Sequence, residues 1–188
     1  ALSHGAPLPQ YDTIDTLQRL HDTISRHKPH KLVCLGDSFH TTERAYRMPP
    51  DNLAYLNNLA DMTQFIWITG NHDSDLPPRL PGTAHREVTI QNIRLTHEAD
   101  GTPFLPTISG HYHPKAKVKL RARNLSTRCF IQSDNDIIMP AFGSYTGGLN
   151  ICDEALAPFL SATTLIHLVH DNKTYSLPFD KSRFIRNA

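Results

Sequence analysis

Four short segments of the chain carry oxygen and imidazole donors that could hold metal ions. They are Gly36-Asp37-Ser38-Phe39-His40, Gly70-Asn71-His72-Asp73, His97 within Leu95-Thr96-His97-Glu98, and Gly110-His111-Tyr112-His113-Pro114. Alone, each has an ordinary reading. Asp after Gly is common in turns, and Asn71 could form an Asx turn. A lone histidine such as His97 is more often structural than a ligand, and His111 and His113 could simply be solvated. On an extended segment, however, two histidines two residues apart point to the same side. Taken together the donors are oxygen and nitrogen, with no sulfur. That mix suits manganese, iron or zinc better than a thiolate metal, and better than the all-oxygen shells of magnesium or calcium.

These residues need elements to position them. Asp12 or Thr13 can cap a helix running to about His27, with Ile14, Leu17, Leu20 and Ile24 sharing one face and Pro29 ending it. The apolar run 31–36 reads as a buried strand that delivers Asp37. A second helix is expected over about 51–62, with Leu53, Leu56, Leu59 and Ala60 inward, followed by a buried strand over 65–69 that delivers Asn71. After the Pro-rich turn at 77–82, strand signals recur at about 86–90, 93–97, 106–110, 116–123, 127–133, 136–142, 164–170 and 173–178. The reading is α/β, with a later half that is mostly sheet. The donor segments follow strand ends, the edge where open α/β sheets bind ligands.

A length of 188 residues suggests a single domain over 1–188 and suffices to bury a core. The net charge of +1 supplies no global attraction to nucleic acid or membrane, so any such preference must be local. Cys34, Cys129 and Cys152 are too few and too scattered for a disulfide framework, and their odd number fits a reducing, cytoplasmic setting. No apolar run approaches the roughly 20 residues of a membrane span, and no signal peptide is visible. Twelve histidines is an unusual number, and only four sit at ligand-like positions in the donor segments. His21, His27 and His30 read as helix-surface residues, while His85, His167 and His170 suggest no partner. Trp67 and Tyr112 read as packing residues. Gly143, Gly147 and Gly148 suit tight turns, with phosphate cradling as the lesser alternative.

Directly after His113, Lys115, Lys117, Lys119, Arg121 and Arg123 alternate with Ala116, Val118, Leu120 and Ala122. On a strand this period of two places all five cations on one face. That face could track a phosphate backbone into the site, or be a solvated strand whose charges discourage edge pairing.

The four donor segments, in this order, resemble the calcineurin-like metallophosphoesterases, whose pattern is Asp-x-His, Gly-Asp, Gly-Asn-His-Asp or -Glu, a lone His, and Gly-His-x-His. Three further stretches resemble one bacterial subgroup, the DNA-ligase-associated metallophosphoesterases: Leu8 to Thr13, Cys34 to His40, and Met139 to Leu149. The resemblance implies a β-sandwich flanked by helices in α-β-β-α layers. It implies two divalent metals, manganese before iron or zinc. Asp37 would bridge both, Asn71, His97 and His111 would complete one site, and His113 would bind the other. His72 would stand over the phosphate as general acid or transition-state stabiliser, oriented by Asp73, and His40 would be a supporting or merely polar loop residue. The first motif, Asp-x-His, is absent before Asp37, so the expectation is that the first strand or two are missing and that one metal site is weak or empty. The implied activity is hydrolysis of phosphodiesters, as a nuclease in DNA repair beside a ligase and a helicase. Alternatives are a small-molecule phosphatase or cyclic-nucleotide phosphodiesterase, and an inactive metal-binding or scaffolding relic.

Overall fold

The structure, a computed structural model, describes residues 11–100, 105–119, 124–143 and 146–185. Arg121 and Arg123 of the basic segment lie outside the described residues, as do Ser144 and Tyr145 of the Met139–Leu149 stretch.

The chain opens with α1 (Tyr11–His27). Leu17 and Ile24 are buried and Leu20 packs beside them, as the helical spacing expects, but Ile14 is 57% exposed. The difference has a local cause. The polar contacts of α1 with the next long helix run through Gln18 and His21 to Tyr55, and Ile14 falls a turn before them. The helix closes where Lys28 turns left-handed at φ 44° and donates to the Ile24 carbonyl at 2.7 Å. Then come β1 (Lys31–Leu35), a one-turn α2 (Thr42–Tyr46), α3 (Pro50–Ala60) and β2 (Gln64–Ile68). The sequence reading missed α2, which is started by the Thr41 hydroxyl accepting from Arg44 N–H at 3.2 Å. Pro50 opens α3 at the position where its missing N–H costs nothing. β1, β2 and β3 (Thr83–His85) form a parallel three-stranded sheet. Its core joins Leu17, Ile24, Leu56, Leu59, Phe65 and Trp67, with the Trp67 indole N–H donating to the Pro81 carbonyl at 2.7 Å.

The remaining strands are β4 (Glu87–Ile90), β5 (Ile93–Thr96), β6 (Thr107–Ser109), β7 (Lys115–Lys119), β8 (Asn124–Gln132), β9 (Asp136–Ile138), β10 (Leu165–His170) and β11 (Lys173–Pro178). They form a second, mixed sheet in the order β11-β10-β8-β9-β6-β5-β4, with β7 also paired to β8. Ile131, Ile138, Ile166 and Leu168 build its core, covered by Ile151 and by Leu156 from a 3-10 turn over 154–159. β9 is shorter than the expected 136–142. Pro140 cannot donate to a ladder, and the carbonyls of residues 141–143 accept from the Arg128 guanidinium instead. His85, His167 and His170 do have partners: Thr83, the pair Ser176 and Gln132, and Asp171, respectively. The fold is thus mixed α/β, with central β-sheets flanked by helices.

Candidate metal centre

Parallel pairing explains why distant donors meet. β1 and β2 are parallel neighbours, with Leu35 opposite Ile68, so the loops after them leave one edge of the first sheet. β5 and β6 are also parallel neighbours, with Thr96 opposite Ser109. Asp37 and Asn71 follow the first pair, and His97 and His111 follow the second. The two edges meet where the His97 Nδ1–H donates to the Leu35 carbonyl at 2.8 Å, and within the second edge Gly110 N–H donates to the His97 carbonyl at 3.0 Å.

Around this seam, His97 Nε2 lies 2.9 Å from Asn71 Oδ1, 3.0 Å from His111 Nδ1 and 3.3 Å from Asp37 Oδ2. Asp37, His97 and His111 each offer a ligand atom, all within 4.8 Å of one another. Because Nδ1 of neutral His97 spends its hydrogen on Leu35, Nε2 carries a lone pair. That lone pair faces the carbonyl oxygen of Asn71 and the carboxylate of Asp37, both acceptors. One proton could serve only one of these contacts, whereas a cation serves all of them. The donor set therefore fits a divalent metal held by Asp37, Asn71, His97 and His111. Its oxygen and nitrogen atoms suit a borderline first-row metal.

The backbone is bent to hold this arrangement. Asp37, His111 and His113 are left-handed at φ 48°, 57° and 48°, a conformation that costs non-glycine residues of order 1–3 kcal/mol each. Gly36, at φ 84°, has no side chain because a Cβ there would overlap the His97 ring. A buried carboxylate braces the loops: Asp73 is fully buried and accepts four backbone N–H bonds. Its Oδ1 takes Asp37 and Gly70 at 3.0 and 2.8 Å, and its Oδ2 takes Ser38 and Phe39 at 2.7 and 3.2 Å. Asp37 in turn accepts from the His72 backbone N–H at 2.9 Å.

The sequence expectation that His111 and His113 share one side of an extended segment is corrected. Both are left-handed, and Tyr112 N–H closes a tight turn onto the Gly110 carbonyl at 2.8 Å. Accordingly His111 joins the cluster, while His113 stands outside the group of three. His113 is half-buried, and burial lowers its imidazole pKa, opposed by the nearby Asp37 carboxylate. The His72 and His40 side chains are exposed on the loops after β2 and β1. Glu98 was not singled out from sequence. It lies 3.8 Å from His111 Nε2 and accepts from the Tyr112 hydroxyl at 3.2 Å, and its position directly after His97 was the available signal. Lys115, Lys117 and Lys119 alternate along β7 with the buried Ala116 and Val118 as expected. Lys115 stands opposite Arg128 on β8.

Over 92% of this chain and 82% of the other, the structure is similar to the crystal structure of Pseudomonas putida nuclease MPE, with TM-score 0.71 and 28% identity. A Vps29 double mutant from Entamoeba histolytica aligns over 96% of this chain and 94% of its own at TM-score 0.36 and 14% identity, too low to bear on the fold. No curated protein matches the chain significantly. The calcineurin-like phosphoesterase family model matches residues 4–169, and the chain belongs to that family.

Proposed function

We propose that this protein is a nuclease: a single-domain, metal-dependent phosphodiesterase that hydrolyses DNA, with manganese as its preferred metal. The observation that carries the reading is the convergence of Asp37, Asn71, His97 and His111 past the ends of two parallel strand pairs, one in each sheet. The similarity to a nuclease at TM-score 0.71 favours a nucleic-acid diester over a small phosphomonoester. Bound divalent metals would supply Lewis acidity toward the phosphoryl oxygens and a lowered pKa for water. In this reading Asp37 would serve both ions, and His113 would help to hold the second. His72, exposed beside them, offers an imidazole to protonate the leaving alkoxide. Asp73, expected to orient His72, has both carboxylate oxygens taken by the backbone N–H groups of residues 37–39 and Gly70, and supports the site through the Asp37 loop. In this reading Lys115, Lys117 and Lys119 would draw the phosphate backbone toward the site. A place in bacterial DNA repair, in the cytoplasm and beside a ligase and a helicase, follows from the subgroup resemblance of Leu8 to Thr13, Cys34 to His40 and Met139 to Leu149.

The test is hydrolysis of a labelled oligodeoxynucleotide and of p-nitrophenyl phosphate by protein stripped of metal and then given manganese. Cleavage of the oligonucleotide should depend on manganese and fall at least about 100-fold in Asn71→Ala, the scale on which losing one electrostatic stabiliser reads. Faster turnover of the monoester would make the protein a small-molecule phosphatase, and no turnover of either would leave a non-catalytic metal-binding protein.

A further inference from the structure

The segment after β9 has no role in the metal centre, yet it is tied to it at both ends. β9 runs parallel to β6 with Ile138 opposite Ser109, and Met139 N–H donates to the Ser109 carbonyl at 2.7 Å. The chain beyond β9 therefore leaves the same sheet edge as His111. At the far end, Leu149 N–H donates to the Tyr112 carbonyl at 3.2 Å, and Lys115 N–H donates to the Leu149 carbonyl at 2.8 Å. Gly148 lies so close to the His113 carbonyl that no Cβ could stand there. Between these anchors the main chain is gripped by two guanidiniums. Arg128 donates to the carbonyls of Ala141, Phe142 and Gly143 at 3.1, 3.4 and 2.5 Å, and Arg19 donates to the Phe142 carbonyl at 2.8 Å.

This grip holds an aromatic ring in the open. Phe142 is 43% exposed, and the Arg19 guanidinium sits 4.7 Å from its ring centroid. The carbonyls of Ala141, Phe142 and Gly143 are each held by a guanidinium, which fixes the backbone that carries the ring. Its surroundings are cationic. Arg128 feels the Arg19 charge, and Lys115, whose ammonium donates to the Thr146 carbonyl at 3.3 Å, lies directly across from Arg128 on the neighbouring strand. An exposed aromatic ring among cations, on a segment whose ends are bonded beside His111 and His113, matches a ligand that is flat and apolar in one part and anionic in the next. A nucleotide unit has that form: the base stacks on the ring and its phosphates meet the cations.

We propose that Phe142 is a base-stacking residue, on which an unpaired nucleobase of the substrate rests while its backbone passes Arg19, Arg128 and Lys115. The proposal rests on the nuclease reading, because a substrate without bases has no use for the ring. Arg19 polarises the ring from behind, and the anchored segment keeps it in register with the metal centre.

The test measures binding in chelator, without turnover. A fluorescent single-stranded oligodeoxynucleotide is compared with an oligomer of equal length in which abasic residues replace the nucleosides. The wild-type protein should prefer the base-bearing strand about tenfold, within the range of one aromatic–base stack. Phe142→Leu, which keeps apolar bulk without a ring, should abolish the preference, and Phe142→Trp should retain it. An unchanged preference in Phe142→Leu, or no preference in the wild type, overturns the proposal. Parallel cleavage assays with manganese separate the two readings. A protein that shows the Phe142-dependent preference but cleaves nothing contradicts the nuclease reading alone, and one that cleaves with an unchanged preference in Phe142→Leu contradicts the stacking reading alone.

Discussion

Asp73 shows how much a single side chain can do without touching a ligand. Its carboxylate is fully buried and faces four backbone N–H groups, three from residues 37–39 and one from Gly70. Four such donors keep a buried anion satisfied without a cation partner. An amide in its place turns one acceptor into a donor pointed at other donors, and each orphaned group costs about 1–3 kcal/mol. Asp73→Asn should therefore lower the melting temperature while leaving a folded circular dichroism spectrum. It should also weaken manganese binding about 10- to 100-fold by calorimetry, the usual effect of losing a group that supports metal ligands. Unchanged manganese affinity in a folded variant would show that the loops hold Asp37 without it. The donors themselves were legible in the sequence, because four short motifs follow apolar strand runs. The backbone around them was not. A left-handed φ at Asp37, His111 and His113 leaves no compositional mark when the residue is not glycine, and for that reason His111 and His113 were expected on one side of an extended chain.

Among the elements, hydrophobic spacing located α1, α3 and most of the strand runs to within a few residues. α2, β3 and the 3-10 turn escaped. β3 is three residues long and exposed throughout, so it shows no buried face. α2 and the 3-10 turn are five and six residues long, too short to display a helical period, and they depend on the Thr41 and Asp153 caps. Spacing also overstated α1, whose Ile14 belongs to the apolar pattern but lies outside the contact. The two ends of that helix should respond differently. Ile24→Ala, at 1% exposure, should cost about 2–5 kcal/mol in urea melts, whereas Ile14→Ala should stay within about 0.5 kcal/mol. Similar losses at both positions would mean that Ile14 is covered in solution. The clasp of Arg19 and Arg128 on the segment after β9 could not have been read from the chain, since Arg19 and Phe142 are 123 positions apart.

For the whole molecule, the candidate metal centre lies where the two sheets meet. Its candidate ligands come from both, so an ion held by them would resist their separation and stabilise the fold by mass action, by about 2.7 kcal/mol at a metal concentration 100 times Kd. For a chain of this length that is a rise in Tm of roughly 5–10 °C, readable by thermal melts with and without manganese and reversed by chelator. Asp37→Ala should lose most of the rise, and a Tm indifferent to manganese in the wild type would contradict a centre that spans the seam. The sheets are also successive along the chain. The three-stranded sheet uses residues 31–85 and the second sheet 87–178, with Arg86 alone between them. Asp37 and Asn71 therefore lie on one side of a single peptide boundary, and His97 and His111 on the other. Cut there, the gene would encode two half-centres, each inert alone, and restored metal binding would report that the pieces had found each other.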